Sequence, residues 1–240
     1  MNAPLSISLV VCAYNEEKYI GACLASIVAC RGEFLEIIVV DNASTDNTRT
    51  VAESFPGVRV VSEREKGLTK ARQRGLHEAR GGIVAYIDAD TEITEKWVRK
   101  IIAAYARDER IVCASGIYVY KDVPLVIHLC VWIYWHFFSY LTYLCTGYLV
   151  VGGNFAARKE ALHAIGGFDT TIEFYGEDTD IARRLHKFGK VKFLPGAVVH
   201  TSARRIKEEG LIKTGWIYVK NFFAVAATGK PATKKHADFR

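Results

Sequence analysis

The sequence predicts an α/β fold with a mostly parallel central sheet flanked by helices. Over the first 120 residues, short apolar runs rich in β-branched residues alternate with helical stretches of roughly ten residues. This alternation is typical of parallel strands joined by right-handed crossovers. Residues 6–13 and 36–40 are apolar at nearly every position, as expected of strands that are covered on both faces. A chain of 240 residues has room for one sizeable domain of this kind.

The individual elements follow from apolar periodicity and capping residues. Strands are predicted over residues 6–13, 36–40, 58–62, 83–87 and 111–120, and helices around 20–27 and over 47–54, 68–79 and 97–106. Asn15 is placed to cap the first helix, and residues 44–46 (STD) to cap the second. Ligands of such sheets bind where strand ends open into loops, which makes Asp41 and Asp88 candidate site residues.

Composition separates an acidic body from a basic C-terminal region. Residues 183–240 carry 14 Lys and Arg against three Asp and Glu, whereas residues 1–182 carry 18 against 23. Such a basic region is expected to meet phosphates or a membrane surface, and no nucleic-acid partner is expected. The six cysteines lack metal-binding spacing, and the N-terminus lacks a signal-peptide pattern. We therefore expect a reduced, cytoplasmic setting.

Two common functions of this architecture lack their motifs. The chain contains neither GxGxxG nor GxxxxGK[ST], the sequences whose glycines cradle the phosphates of dinucleotides and nucleotides. Ordinary dinucleotide-binding and P-loop functions are therefore not expected.

Two acidic clusters are candidates for chemistry. Asp88 and Asp90 follow a buried strand, and in extended backbone their carboxylates would lie on one side, about 6–7 Å apart. Such oxygen donors suit Mg²⁺ or Mn²⁺, although a solvated turn is the alternative. Residues 176–180 (GEDTD) precede a helix, where acids commonly serve as caps. The functional alternative for this second cluster is a general base.

Six motifs then occur in order: SLVVCAYNEE (8–17), IIVVDNASTDNT (37–48), VAYIDAD (84–90), GGN (152–154), GGFD (166–169) and GEDTD (176–180). Together they resemble the family-2 nucleotide-sugar glycosyltransferases of the GT-A fold, over about residues 6–200. The resemblance implies an inverting transfer of one sugar from a nucleoside-diphosphate sugar to an acceptor hydroxyl, with Mg²⁺ or Mn²⁺ as cofactor. Uridine is the default base of the donor, because it is the commonest in that family.

The resemblance also implies roles for individual residues. On the donor side it implies that Ala13, Tyr14 and Glu16 form the loop that binds the base and that Asp41 contacts the nucleoside. It also implies that Arg72 is a basic residue of the donor site. Asp88, with Ala89 beside it, would contact the ribose and the metal, and Asp90 would be a metal ligand. On the acceptor side it implies the catalytic base at Asp178, a second catalytic acid near the sugars at Glu177, and an acceptor or sugar loop at Gly153 and Asn154.

For two residues near position 200, His200 and Arg204, the sequence allows two interpretations of their role. His200 follows an apolar strand-like run and completes the metal site in several related enzymes, but a surface histidine is the competing interpretation. Arg204, with Arg205 beside it, is suited to clamp a diphosphate, and a solvated basic face is the alternative.

The sequence also departs from the resembled family. Gln73 stands where many members carry Asn, and the QxxRW motif of processive synthases is missing, which favours a single transfer. Two other functions stay open. One is a nucleotidyltransferase, against which the acidic AYNEE loop argues. The other is a catalytically silent, membrane-associated binder of nucleotide sugars.

An apolar insert and a basic tail complete the chain. We expect a transferase domain over 1–205 with an insert at about 123–151, followed by an amphipathic helix and basic tail over 206–240. The insert is long enough to span a membrane, yet a crossing would separate Asp90 from Asp178. An interfacial hairpin, a buried helical element and a homodimer contact remain. An interfacial segment would imply a peripheral position on the inner membrane face and a lipid-linked or cell-envelope glycan acceptor.

Overall fold

The computed structural model describes residues 5–233 as a single sheet with helices on both faces. The strands are β1 (Ile7–Ala13), β2 (Glu36–Asp41), β3 (Val58–Ser62), β4 (Ile83–Asp88), β5 (Thr91–Glu92), β6 (Ile111–Tyr120), β7 (Asn154–Arg158) and β8 (Lys190–Thr201). The α-helices are α1 (Ile20–Ala29), α2 (Thr48–Glu53), α3 (Leu68–Glu78), α4 (Glu95–Arg107), α5 (Leu125–Ile133), α6 (Ser139–Thr146), α7 (Lys159–Ala164), α8 (Glu177–Leu185), α9 (Arg204–Glu209) and α10 (Leu211–Thr228).

The eight strands lie in the order β3-β2-β1-β4-β7-β6-β8-β5. The first four in this order are parallel, β6 and β8 are also parallel, and β7 runs antiparallel between β4 and β6. The expected mostly parallel sheet is confirmed. In the register of the sheet, Ala13 pairs with Asp41 and Cys12 with Asp88, so the loops after β1, β2 and β4 meet at one edge.

The strands are buried on both faces, as their apolar sequences predict. Leu9 and Val11 belong to a first hydrophobic cluster that includes α1 and α4, whereas Val10 belongs to a second cluster that includes α3 and α8. Because successive side chains of a strand point to opposite faces, each strand contributes to both clusters. The site at the strand ends is therefore held by a rigid, two-sided core.

One capping prediction was wrong and one holds. Asn15 does not cap α1, whose N-cap is Tyr19; its backbone is left-handed (φ 51°), and its side-chain oxygen accepts a hydrogen bond of 2.8 Å from the Thr45 amide. Asn15 therefore ties the loop after β1 to the loop after β2. The Asp46 carboxylate accepts a 2.9 Å bond from the Thr48 amide at the start of α2, as predicted for residues 44–46.

The predicted insert forms one long helix, Leu125–Thr146, which we call the apolar helix. It consists of α5, a π-helical turn over Tyr134–Phe138, and α6. Its 22 residues are long and apolar enough to cross a membrane, and only 11% of the most apolar window is buried. The alternative of a buried element is therefore excluded, and the segment is a single helix instead of a hairpin. An interfacial position and a homodimer contact stay predictions.

The ends of the apolar helix return to the same sheet. The preceding strand, β6, pairs directly with the following strand, β7. A helix of 22 residues is about 33 Å long, and the short connections 121–124 and 147–153 join its ends to β6 and β7. Val131, Trp135 and Ser139, which are spaced four residues apart, are buried against the domain. The helix therefore packs along the surface of the domain by one stripe of side chains.

The C-terminal region contains the predicted amphipathic helix as α10. Thr214, Asn221 and Val225 are buried on its inner side, while Ile212 and Trp216 are exposed. Most of the predicted basic tail falls in residues 234–240, outside the described residues.

Candidate active site

Asp88 lies at the end of β4 and is held by three neighbours. Its Oδ1 lies 3.4 Å from Nη2 of Arg72, and its Oδ2 accepts a hydrogen bond of 3.0 Å from the Tyr118 hydroxyl. Its backbone amide donates to the Gly153 carbonyl over 3.3 Å. The carboxylate remains 37% exposed, so an external ligand can reach it.

Arg72 joins the two acidic clusters that the sequence identified separately. It projects from α3 into the interior, where its Nη1 lies 3.0 Å from Oε1 of Glu177 while its Nη2 faces Asp88. Burial by itself would lower the pKa of Arg72, but the charges of Glu177 and Asp88 outweigh that effect and raise it. The buried guanidinium thus stays charged and binds β4 to the start of α8.

The two glycines of the GGN motif are required by this close approach. Gly153 has φ of +81°, and a Cβ there would lie 2.0 Å from Cγ of Asp88. A Cβ at Gly152 would lie 2.9 Å from Oε1 of Glu177. The backbone therefore passes directly between the acids, and only glycine fits at residue 153. Gly153 therefore lies against Asp88, and its role in an acceptor or sugar loop stays a prediction.

Asn154 is a correction to the predicted acceptor or sugar loop. Its side chain is fully buried, with Oδ1 accepting a 2.7 Å bond from the Trp97 indole and the amide donating a 2.9 Å bond to the Ile117 carbonyl. These bonds connect α4, β6 and β7 inside the core. Because both polar ends are engaged there, Asn154 supports the sheet and does not face a ligand.

Asp90 sits in the turn after β4 and is paired with Arg204. Its Oδ2 lies 3.1 Å from Nη2 of Arg204, whose two terminal nitrogens also contact the carboxylate of Glu16 at 2.8 and 2.5 Å. Burial raises the pKa of Asp90, an effect that Arg204 opposes and Asp88 reinforces. Arg204 therefore connects the predicted base-binding loop to the predicted metal ligand.

The structure does not bring His200 against Asp90. Its neighbour Thr201 lies there instead, with the hydroxyl 3.4 Å from Oδ1 of Asp90 and 2.9 Å from the Thr91 hydroxyl. Successive side chains in β8 point to opposite faces, so His200 is directed away from Asp90. Within residues 5–233, no three His, Cys, Asp or Glu side chains gather as a metal site. The predicted pairing of His200 with Asp90 is therefore corrected.

Glu177 and Asp178 open α8 but differ in their surroundings. Glu177 is buried against Arg72, whereas Asp178 is half-buried and accepts a 2.7 Å hydrogen bond from the Thr179 amide through Oδ1. Burial raises the pKa of both acids, and the charge of Asp178 raises that of Glu177 further. An acid of raised pKa that remains partly accessible can accept a proton from a bound hydroxyl.

The predicted base-binding residues meet at the same edge of the sheet. Ala13 and Asp41 are register partners and both are buried, and Oδ1 of Asp41 accepts a 3.3 Å bond from the Ser44 amide. The Lys66 ammonium lies 3.8 Å from the ring centre of Tyr14. Ala89 is buried in the first hydrophobic cluster, which anchors the turn between Asp88 and Asp90.

Sequence reasoning missed Tyr118 and Thr201. Both lie on long strands whose sequences carry no motif, and each reaches the site only because β6 and β8 pair beside β5 and β7. Their proximity to Asp88 and Asp90 follows from sheet order, which a single sequence does not reveal.

The side chains of Asp88 and Asp90 are suitable ligands for a divalent metal ion. Both are carboxylates, the preferred donors of Mg²⁺ and Mn²⁺, and the half-exposed Asp88 opens to solvent. Two protein carboxylates suffice where a ligand's phosphate oxygens complete the coordination.

Comparisons with known proteins identify the family of the chain. The sequence model described as glycosyl transferase family 2 matches residues 8–166, and one described as the N-terminal domain of galactosyltransferase matches residues 134–204. An uncharacterised glycosyltransferase, YibD of Escherichia coli, is 34% identical over 97 residues, which is 39% of this chain and 28% of YibD. The chain thus spans only part of the length of this curated relative.

Two solved structures have similar folds. A mannosyltransferase from Pyrobaculum calidifontis superposes with a TM-score of 0.64 at 23% identity, covering 92% of this chain and 62% of its own. Glucosyl-3-phosphoglycerate synthase from Mycobacterium tuberculosis gives 0.65 at 22% identity, covering 95% and 81%. These likenesses concern the fold. Because the family model covers about two thirds of the sequence and the sheet has the GT-A arrangement, the chain belongs to glycosyl transferase family 2.

Proposed function

We propose that this chain transfers one sugar from a nucleoside-diphosphate sugar to an acceptor hydroxyl, with inversion at the anomeric carbon. One observation carries the proposal: buried Arg72 contacts both Asp88 and Glu177, so that acids about 90 residues apart share one pocket. A donor-binding acid and a separate proton acceptor are the two parts that such a transfer needs.

On the donor side, the loops after β1, β2 and β4 form the nucleotide site. Ala13, Tyr14 and Asp41 surround the base and nucleoside, and Glu16 fixes the position of Arg204 through two short contacts. Arg204 is then placed to meet the donor diphosphate, since its planar guanidinium matches phosphate oxygens.

Asp88 and Asp90 would hold Mg²⁺ or Mn²⁺ together with the donor phosphates. A bound divalent ion offsets the negative charge that develops on the departing nucleoside diphosphate. Arg204 already contacts Asp90 and therefore has to share that carboxylate or move when the donor binds. The mannosyltransferase named above was solved with GDP-mannose and Mn²⁺, and the synthase with UDP-glucose and Mn²⁺, which supports the same assignment here.

The transfer step assigns the proton to Asp178. The acceptor oxygen attacks the anomeric carbon, the bond from that carbon to the diphosphate oxygen breaks, and its electron pair leaves with the nucleoside diphosphate. The acceptor proton passes to the Asp178 carboxylate. Glu177 acts as a positioning residue: its ion pair with Arg72 fixes the start of α8 and thereby the neighbouring Asp178.

For the identity of the donor and the acceptor we propose the substrates that the sequence analysis expected. UDP-sugar is our default donor, and the acceptor is a lipid-linked or cell-envelope glycan hydroxyl. We place the reaction in residues 1–205 and a peripheral membrane contact, on the cytoplasmic face, in the insert and residues 206–240. The eleven large hydrophobic residues that the apolar helix exposes support this position.

The test is donor binding by thermal shift with UDP-glucose, UDP-N-acetylglucosamine and GDP-mannose, each with Mn²⁺ or Mg²⁺. At a ligand concentration of 100 times Kd, binding stabilises the folded state by about 2.7 kcal/mol. We expect a metal-dependent shift that Asp90→Asn abolishes.

The matched control is Asp122→Asn, which removes an exposed carboxylate in a left-handed position that Asn tolerates. A shift for the wild type that needs no metal, or one that survives in Asp90→Asn, would contradict the assigned donor site. Release of pyrophosphate when the chain is given a nucleoside triphosphate and a sugar 1-phosphate, with no nucleoside diphosphate released from the nucleotide sugars, would indicate a nucleotidyltransferase.

A further inference from the structure

Arg205 is held in an aromatic frame, formed by Phe174, Tyr175 and Tyr218. Its guanidinium carbon lies 4.5 Å from the ring centre of Phe174, 5.7 Å from that of Tyr175 and 5.9 Å from that of Tyr218. Nη1 also donates a 2.9 Å hydrogen bond to the Tyr218 hydroxyl. Three rings around one guanidinium orient it before any ligand arrives, which lowers the entropy cost of binding.

The ion pairing of Arg205 differs from that of the other two arginines at the site. Arg72 and Arg204 each contact two carboxylates. Across the described residues 5–233, no carboxylate oxygen lies within 4.0 Å of the Arg205 guanidinium, including that of Glu209 one turn further along α9. Its positive charge is therefore left for an anionic ligand, and aromatic rings do not neutralise it.

The aromatic frame adjoins the reaction site. Tyr218 packs edge-on against Tyr175, with the two ring centres 5.9 Å apart. Tyr175 is itself only two residues before Glu177 in the chain. Arg205 therefore lies beside the acceptor side of the pocket, whereas Arg204 faces the donor side through Glu16 and Asp90.

Two exposed apolar faces border this pocket. The apolar helix exposes Leu125, Val126, Leu129, Trp132, Ile133, Tyr134, Phe137, Phe138, Tyr140, Leu141 and Leu144. On α10, Ile212, Trp216 and Phe223 are exposed along one side. We call these two faces together the apolar surface.

The two helices also share their support. Leu211 at the start of α10 and Phe222 within it pack on the same hydrophobic cluster as Val131 and Trp135 of the apolar helix. The two faces are therefore joined by a shared hydrophobic cluster beneath them, and Arg205 is bonded to α10 through Tyr218.

The charges around the apolar surface fit a lipid interface. The apolar helix carries no charged residue, and α10 carries Lys213 and Lys220 but no acid. Lys220 is exposed between Trp216 and Phe223 on the same side of the helix. Exposed aromatic and aliphatic side chains interspersed with lysine are typical of helices that lie in the interface of an anionic bilayer.

We propose that the chain docks on a bilayer through the apolar surface and that Arg205 binds the phosphate of a lipid-linked acceptor. The inference rests on the proposed glycosyl transfer and names the acceptor class for it. The lipid chain stays in the bilayer, the phosphate meets Arg205, and the acceptor hydroxyl beyond the phosphate lies toward Asp178. Arg205 is a binding group and takes no part in proton transfer.

The test is co-sedimentation of the full chain with phosphatidylcholine vesicles that contain or lack polyprenyl phosphate. We expect the wild type to bind the phosphate-bearing vesicles about tenfold more tightly, as one charge-assisted contact allows. Arg205→Gln should remove this preference while leaving binding to neutral vesicles. The double variant Leu129→Ser/Phe137→Ser should weaken binding to both kinds of vesicle, because both side chains are exposed on the apolar helix.

The matched control is Lys207→Gln, which removes one exposed positive charge from the same helix as Arg205. Equal loss in Lys207→Gln and Arg205→Gln would reduce the effect to general electrostatics and overturn the Arg205 assignment. Unchanged vesicle binding in the double variant would overturn the docking surface. Equally tight, Arg205-dependent binding of inorganic phosphate would overturn the lipid as the source of the phosphate.

Folding and donor binding are measured on the same samples. Arg205→Gln should keep the wild-type urea midpoint and the thermal shift with donor and Mn²⁺. Loss of donor binding in Arg205→Gln alone would assign this guanidinium to the donor and overturn the acceptor site. A wild type that binds phosphate-bearing vesicles but no nucleotide sugar would instead refute the proposed function, so the two failures are distinguishable.

Discussion

Two uncharged helices of this chain occupy opposite environments. In α1, Ile20, Cys23, Leu24 and Ile27 are buried in the first hydrophobic cluster, whereas the apolar helix exposes eleven large hydrophobic side chains. α1 is covered by the sheet on one side and by α2 and β5 beside it, but the apolar helix touches the domain along one stripe only. Apolar composition therefore predicts that a helix will avoid water without saying whether protein or another apolar phase covers it.

The two helices also differ in the role of their hydrophobic residues. The region around α1 builds a rigid support for the strand ends that carry the acids, and its hydrophobic residues are accounted for by the core. The apolar helix adds little to that core, and its exposed residues form most of the apolar surface that we propose as the bilayer contact. Variants that separate catalysis, stability and surface binding can therefore sharpen the comparison.

The largest effect is expected at the proposed base. Asp178→Asn keeps the shape of the side chain but removes proton acceptance, so sugar transfer should fall by about 10²- to 10⁴-fold. Donor-induced thermal shift and vesicle binding should stay unchanged, because neither depends on proton transfer. The measurement is single-turnover transfer with saturating donor. Glu173→Gln, at an exposed acid shortly before α8, is the control, and full activity of Asp178→Asn would refute its role.

Next in size is the buried ion pair that joins the two acidic clusters. Arg72→Met leaves Asp88 and Glu177 without their shared cation, and breaking a buried pair costs about 3–5 kcal/mol of unfolding free energy. Urea unfolding measures the loss. The control, Arg74→Met, removes a half-exposed pair with Glu78 and should cost under about 1 kcal/mol. Equal losses in both variants would show that Arg72 does not bear the structural role assigned to it.

The comparison between the helices is tested directly by two leucines. Leu24 is fully buried in α1 and Leu129 is 57% exposed on the apolar helix. Leu24→Ala should lower the unfolding free energy by about 2–5 kcal/mol, and Leu129→Ala should change it by no more than about 0.5 kcal/mol. Both values come from urea denaturation without lipid. A large loss for Leu129→Ala would mean that the apolar helix is covered by protein in solution.

The smallest effect concerns pH. Asp178 must be ionised to accept a proton, and burial raises its pKa above the ordinary value of 3.8. Because the folded-state pKa is raised, transfer should decline as pH falls through that raised value, by about tenfold per unit below it. The measurement is the pH dependence of kcat with saturating substrates. Constant kcat down to pH values near 3.8 would contradict the assigned surroundings of Asp178.

Local patterns predicted the donor half of the molecule well. The first four strands were predicted within one residue of their observed bounds, because each is an apolar run bounded by turn residues. The positions of Asp41 and Asp88 at one edge followed from the rule that the carboxyl ends of parallel strands open together. These features depend on contacts between residues close in sequence or on recurrent sheet geometry.

Predictions that depended on the direction in which a side chain points were wrong at two residues, Asn154 and His200. Asn154 belongs to a motif, yet its side chain turns inward to Trp97 and Ile117. His200 lies near the end of β8, the strand that meets the turn after β4. Because side chains alternate between the two faces of a strand, Thr201 and not His200 lies against Asp90. A shift by one residue reverses the face of a strand residue, and the sequence alone did not show which face of β8 meets the turn after β4.

By itself, the sequence determined the α/β class, the acids at the strand ends and the uncharged length of the insert, because these depend on residue type and local period. Only the tertiary structure decided that Arg72 joins Asp88 to Glu177 and that the apolar helix remains exposed. It also decided that Arg204 pairs with Glu16 and Asp90, whereas Arg205 lies among three aromatic rings. Each of these outcomes depends on which distant segments pack together. Packing of that kind is set by the whole sheet order, in which β7 and β8 return beside strands far earlier in the chain.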